Sequence, residues 1–133
     1  MSITRINSLG ITDGTIVNGD INASAAIAST KLTGVNDAKA WFNFNGTGTP
    51  AIRSSFNVTS ITDDGVGDYT INFTTTLTDA NYATIGTAIF SAGTAWVATP
   101  RSGTTPTTSA VSIKVVNSGV SADITYINIA VFR

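Results

Sequence analysis

Apolar and polar positions alternate strictly along residues 69–77: Tyr69, Ile71, Phe73, Thr75 and Leu77 fall on one side, and Thr70, Asn72, Thr74 and Thr76 on the other. A period of two places the first set inward on a pleated strand and leaves the second in water. Val111, Ile113 and Val115 alternate with Ser112 and Lys114 in the same way, and Phe56 and Val58 alternate with Asn57 and Thr59 in a run that starts at Ile52. Further strands are expected at 41–45, 82–90, 94–99 and 124–132. Clusters of Gly, Asn, Asp and Pro separate these runs, at 46–50, 63–68, 78–81, 91–93 and 117–119. About seven strands with turns every 8–12 residues is the spacing of an antiparallel β-sandwich, and the chain is read as all-β from residue 38 onward.

The last run departs from clean alternation. Thr125, Ile127, Ile129 and Val131 occupy one face, while Ile124, Tyr126, Ala130 and Phe132 occupy the other. A strand apolar on both sides needs two covers; the sandwich core supplies one and a neighbouring subunit the other, which makes Tyr126 and Phe132 interface candidates.

Residues 1–37 follow a different style. Isolated apolar positions, among them Ile16, Ile21, Ile27 and Leu32, are spaced by polar residues and Gly, so no local layer forms. Asn22 is placed to cap a short helix over 23–31, too brief to stand alone in water. The most economical burial for these side chains is against copies of the same segment, and Ile16, Ile21, Ile27 and Leu32 are oligomer-interface candidates. The chain is thus divided into an extended N-terminal oligomerisation segment, 1–37, and a β-sandwich domain, 38–133.

Composition narrows the chemistry. The 133 residues contain no His and no Cys, and the eight acidic side chains are all Asp. Disulfides, thiol nucleophiles, Ser-His-Asp catalysis and most transition-metal sites are excluded together, and the chain is expected to be no enzyme and to carry no cofactor. Seven basic residues against eight acidic ones leave a net charge of −1 without a basic stripe, so nucleic acid is not an expected partner. No run reaches the ~20 apolar residues of a membrane span, and the start does not read as a signal peptide, so neither membrane insertion nor that export route is expected. Charged residues make up only 11% of the chain, so solubility falls to Thr, Ser and Asn.

Three local patterns invite a chemical reading. Asp63, Asp64 and Asp68 with two glycines resemble an oxygen-ligand loop for Ca²⁺, but the spacing is not that of the twelve-residue calcium loop, and a solvated hairpin turn fits better. Gly46-Thr47-Gly48-Thr49-Pro50 lacks the Lys-Ser/Thr ending of a phosphate loop and reads as a strand connection. The long stretch 100–108, following Trp96, reads as a loop on a rigid scaffold, where recognition is commonly carried. An aromatic beside hydroxyls suits the faces and edges of sugars, which makes Trp96, Arg101, Thr104 and Thr105 receptor-contact candidates; alternatively Trp96 fills the core and the loop merely connects.

Two stretches resemble modules of bacteriophage tail fibres and other virion-surface fibre proteins, especially of tailed phages of aquatic bacteria. The first is Ile11-Thr12-Asp13-Gly14-Thr15-Ile16-Val17-Asn18-Gly19-Asp20-Ile21-Asn22, continuing to Leu32, similar to a segment that precedes globular fibre tips. The second is Lys39-Ala40-Trp41-Phe42-Asn43-Phe44-Asn45-Gly46-Thr47-Gly48, followed by Ile52-Arg53-Ser54-Ser55-Phe56-Asn57-Val58 and Asp68-Tyr69-Thr70-Ile71-Asn72-Phe73, similar to the opening of a β-rich tip domain. The resemblance implies a homotrimer located in the virion, assembled in the host cytoplasm alongside other tail or capsid proteins, with a host-surface glycan as a further partner. It carries over no functional residue. The reading is a non-enzymatic short tail fibre or tail-tip protein that attaches to the host. A capsid decoration or head-fibre protein that stabilises the shell and a free carbohydrate-binding β-sandwich are the alternatives.

Overall fold

The computed structural model describes residues 37–90 and 94–133, together with Ile21, Asn22, Ser24, Ala25 and Ile27. The chain divides into two units, Met1–Val35 and Asn36–Arg133. Among its described residues the second contains nine strands: β1 (Ala38–Asn45), β2 (Ala51–Phe56), β3 (Val58–Gly65), β4 (Asp68–Phe73), β5 (Ala83–Ile89), β6 (Ala95–Pro100), β7 (Ala110–Asn117), β8 (Val120–Ser121) and β9 (Tyr126–Phe132). All pairings are antiparallel, and eight strands follow one another in the order β2-β1-β9-β5-β6-β7-β4-β3, with the short β8 added on β7. The all-β antiparallel class expected from the alternation is therefore what the chain adopts, in a nearly closed sheet.

One consistent inner face explains the core. Phe42 and Phe44 of β1, Tyr69, Ile71 and Phe73 of β4, Val111, Ile113 and Val115 of β7, and Ile127, Ile129 and Val131 of β9 are all buried, each set at period two. The Phe44 ring meets the Tyr69 ring edge-on at 5.1 Å between centroids, and Phe42 follows at 6.0 Å from Phe44. Each such side chain withdrawn from water contributes about 1.5–3 kcal/mol, so the inner face holds the sheet closed.

The expected single strand through 52–59 is instead two strands at opposite ends of the sheet. Asn57 adopts a left-handed conformation with φ of 57° and turns the chain out of β2 and into β3. Its side chain then stitches the seam: Nδ2 donates to the Lys39 carbonyl at 2.9 Å and to the Thr75 carbonyl at 3.1 Å, while Oδ1 accepts from the Thr75 amide at 2.7 Å. Asn tolerates this conformation better than branched residues do, and its amide replaces ladder bonds lost at the bend. Alternation is reset there, so Phe56 points out and is exposed whereas Val58 packs against the core.

The 63–68 turn is also shorter than expected. β3 runs through Asp63 and Asp64 to Gly65, and the reversal is confined to Val66 and Gly67. Gly67 has φ of 70°, and a Cβ there would press on the Val115 carbonyl, so glycine is required for both conformation and space. At the N-terminal end, the Ser24 amide donates to Asn22 Oδ1 at 2.7 Å, the bond a capping Asn makes. The helix expected over 23–31 lies largely outside the described residues, among which no helix occurs.

Candidate functional site

The loop predicted to carry recognition is tied down along its length. Arg101 donates its amide to the Ser112 carbonyl at 2.9 Å, and its guanidinium meets Asp64 Oδ2 of β3 at 3.1 Å. Thr104 folds back, with Oγ1 donating to the Arg101 carbonyl at 2.7 Å in a turn that Gly103 permits at φ of 80°. Thr107 receives the Ser109 and Ala110 amides on its hydroxyl, and Tyr82 donates its hydroxyl to the Thr107 and Ala110 carbonyls, each at 3.1 Å. Thr105 is exposed. The stretch between β6 and β7 is the loop without strand or helix that composition predicts, held in place by these bonds because Thr and Ser supply their own backbone partners.

Trp96 does not stand free beside this loop. It lies on the inward face of β6, two residues before the buried Ala98, half-buried and packed against the core, with its ring 5.9 Å from that of Phe90. Its Nε1 is buried without a hydrogen-bond partner among the described residues. Arg101 and Thr104 are thereby separated from the indole chemically: the first is engaged by a carboxylate on β3, the second by the loop's own backbone.

The three carboxylates of the 63–68 segment diverge. Asp63 accepts the Gly65 amide at 3.0 Å, Asp64 takes Arg101 together with the Thr70 hydroxyl, and Asp68 takes Lys114 Nζ at 2.8 Å. Each therefore has its own partner, and no cluster able to hold a metal occurs among the described residues. These pairs belong to a polar outer surface spanning β3, β4 and β7, where Thr70 and Ser112 share a hydrogen bond at 3.0 Å and Asn72 donates to Ser60 and Thr62.

A second outer surface is different. Directly opposed residues of antiparallel strands point to the same side, so the register defines rows across the sheet. Phe56, Trp41, Ala130 and Ile85 form one row over β2, β1, β9 and β5, and Tyr126, Ile89 and Ala95 form another over β9, β5 and β6. Between them run Ser54, Asn43, Asn128, Thr87 and Val97. Trp41 is 41% exposed, Phe56 53% and Ile85 63%. A shallow groove of ≈ 330 Å³ runs between the first row and the polar row, lined by Trp41, Asn43, Ile85, Thr87, Asn128 and Ala130.

Of the interface candidates, Tyr126 lies on this surface, half exposed, with the Arg53 guanidinium 4.3 Å above its ring; Phe132 is partly buried, opposite Ala38 and Ala83. Ile21 and Ile27 are exposed, and Ile16 and Leu32 lie outside the described residues. Sequence reasoning missed Trp41, Phe56 and Ile85. The signal was partial: Trp41 precedes the buried Phe42 just as Tyr126 precedes the buried Ile127, but the other outward positions of β1, Lys39, Asn43 and Asn45, are polar.

At the end of the sheet, Tyr69 donates its hydroxyl to Asp123 Oδ1 at 2.8 Å and lies 3.0 Å from the Gly46 carbonyl, while Asp123 also accepts the Gly67 amide at 2.8 Å. A Cβ on Gly46 would fall onto the Tyr69 hydroxyl, which is why the chain narrows to glycine there. Burial, aided by Asp123, pushes the Tyr69 phenol well above its ordinary range. This network closes the sheet end and is structural. No protein-family model, curated protein or solved structure matches the chain.

Proposed function

We propose that the protein is a non-enzymatic virion component, a short tail fibre or tail-tip protein that associates as a homotrimer and attaches the particle to the host surface. The observation that carries this reading is an outer face on which Trp41 of β1, Ile85 and Ile89 of β5 and Tyr126 of β9 stand exposed over the buried core, with β1 inside the stretch whose wording resembles fibre tips. A particle protein is built to be covered by its neighbours, and an apolar outer face serves that purpose. The composition agrees: eight Asp are the only acidic side chains, with no His or Cys to share catalytic work. The stitched 100–108 loop, with Thr105 exposed at its surface, remains the proposed host contact.

Gold-labelled antibody to the chain, applied to particles released by lysis, tests the placement. The expected result is label at the distal tail, with the purified chain competing against particle adsorption to host cells. Label over the capsid with no effect on adsorption would replace the fibre reading with shell decoration. No label on particles, together with neutral-sugar binding by the monomer, would replace both with a free binding module.

A further inference from the structure

We infer that the outer face of β2, β1, β9, β5 and β6 is the surface through which copies of this chain meet, the Phe56–Trp41–Ala130–Ile85 row of each turned towards the trimer axis and the same face of its neighbours. This rests on the self-associating fibre reading and adds to it the surface used.

Size is the first ground. Aromatic side chains offer about 150–250 Å² each, so Trp41, Phe56, Tyr126, Ile85, Ile89 and Val97 at roughly half exposure leave on the order of 500 Å² of apolar surface. The Ser54–Asn43–Asn128–Thr87 row divides this area, and its sum is more than half of the ~800 Å² each partner gives to a standard interface.

Charge selects the occupant. The five strands carry no carboxylate, and their two cations are Lys39 and Arg53. Arg53 is engaged locally, donating to the Thr125 carbonyl at 2.6 Å and covering the Tyr126 ring. An acidic partner therefore finds little counter-charge in the middle of the face, and a basic one finds none. A copy of the same face matches on both counts, apolar row against apolar row.

The polar row fits that occupant too. Asn43 Nδ2 donates to Asn128 Oδ1 at 2.6 Å, which leaves Asn43 Oδ1 as acceptor and Asn128 Nδ2 as donor for what lies above. One face thus carries both halves of an amide pair, and an identical face satisfies them without stranding a polar group in the contact.

The absence of Cys makes the test direct, because each introduced thiol reports on one position. Ile85→Cys and Ile89→Cys probe the apolar face and Thr62→Cys the polar face, all in the full chain and all at exposed positions. At concentrations where light scattering gives an oligomer, the first two are expected to react with a maleimide at least about tenfold more slowly than the third, the difference vanishing on dilution to monomer. Trp41→Asp combined with Ile85→Asp is expected to weaken association at least about tenfold while circular dichroism keeps its β signal. Equal labelling of Ile85→Cys and Thr62→Cys in an oligomer overturns this surface and leaves the fibre reading standing, with association through residues 1–37. A monomer at every concentration overturns both. Slowed labelling of the monomer by neutral sugars overturns the second copy in favour of a sugar platform.

Discussion

One sheet has two outer surfaces of opposite chemistry. Across β3, β4 and β7 the outward residues include Ser60, Thr62, Thr70, Asn72 and Ser112, with Asp64 paired to Arg101 and Asp68 paired to Lys114. Across β1, β9, β5 and β6 they include Trp41, Tyr126, Ile85, Ile89 and Val97. Both surfaces back onto the same core, so the packing inside does not account for the difference; only what lies outside each one can. In a chain with 11% charged residues, placing ion pairs on one side spends scarce charge where water is the neighbour. The other side is left as a surface that water covers poorly.

The largest effect expected from breaking this comparison comes from β1, where Phe44 and Trp41 face opposite ways. Phe44 is fully buried against Tyr69, and Phe44→Ala is expected to cost about 3–5 kcal/mol in urea unfolding of the monomer. Trp41→Ala should cost clearly less, about 1–2 kcal/mol under the same conditions, because the residue is already 41% exposed within one subunit. Comparable losses for the two would mean that the outer face is already packed within the chain.

A second contrast opens with pH. The raised Tyr69 phenol keeps its proton in the folded state beyond the value near 10 at which an unfolded tyrosine loses it. Its contribution to stability is therefore complete below about pH 10 and declines as pH rises above it, by up to about 1.4 kcal/mol per pH unit. Tyr82 shifts in the same direction through burial. Tyr69→Phe should flatten the alkaline limb measured by thermal melting at pH 10–12. Without His, melting between about pH 5 and 8 should stay level, and a change above about 10 °C in that window would point to a titrating group elsewhere.

The same contrast explains what was legible in the sequence. β4 and β7 border the polar surface, so their inner and outer residues differ in kind, and Tyr69-Thr70-Ile71-Asn72-Phe73 reads as a strand at sight. β5 and β9 place apolar residues outward as well, Ile85 and Ile89 on the one and Tyr126 and Ala130 on the other, and period two loses contrast there. Tyr126 was legible as an outer apolar residue because it sits in a run with Ala130 and Phe132, whereas Trp41 has Asn43 and Asn45 beside it and looked ordinary. Asn57 concealed the break between β2 and β3: as a polar residue between Phe56 and Val58 it satisfied the alternation, and its left-handed backbone leaves no mark in composition. The two-residue β8 is too short for any periodicity. Trp96 and Arg101, close in sequence, looked like one site; strand direction sends the indole inward, and Asp64, far off in the chain, takes the guanidinium.

A smaller effect sharpens the polar side. Arg101 and Asp64 are each about a quarter exposed, at 27% and 26% of their side-chain surface. A double-mutant cycle with Arg101→Ala and Asp64→Ala should give a coupling of about 0.2–1 kcal/mol that shrinks as salt is raised. Coupling that survives high salt would show the pair to be shielded, and would remove the distinction between a wet surface and a covered one.

The smallest expected effect lies where the apolar surface ends. Arg133, just past β9, pairs its guanidinium with both carboxylate oxygens of Asp79, and this is the third of the ion pairs among the described residues. The guanidinium, followed by the Asn81 amide, lowers the Asp79 carboxyl to about 2, while the pair raises Arg133. An acid depressed by folding stabilises the fold above its ordinary value near 4 and gives up that contribution as pH falls through 2. Carboxyl NMR titration should therefore place Asp79 near 2, and Arg133→Ala should return it most of the way towards 4, the Asn81 amide holding the remainder. If Asp79 stayed near 2 in that variant, the backbone turn alone would set it, and the charge that closes the end of β9 would have no electrostatic partner at this edge.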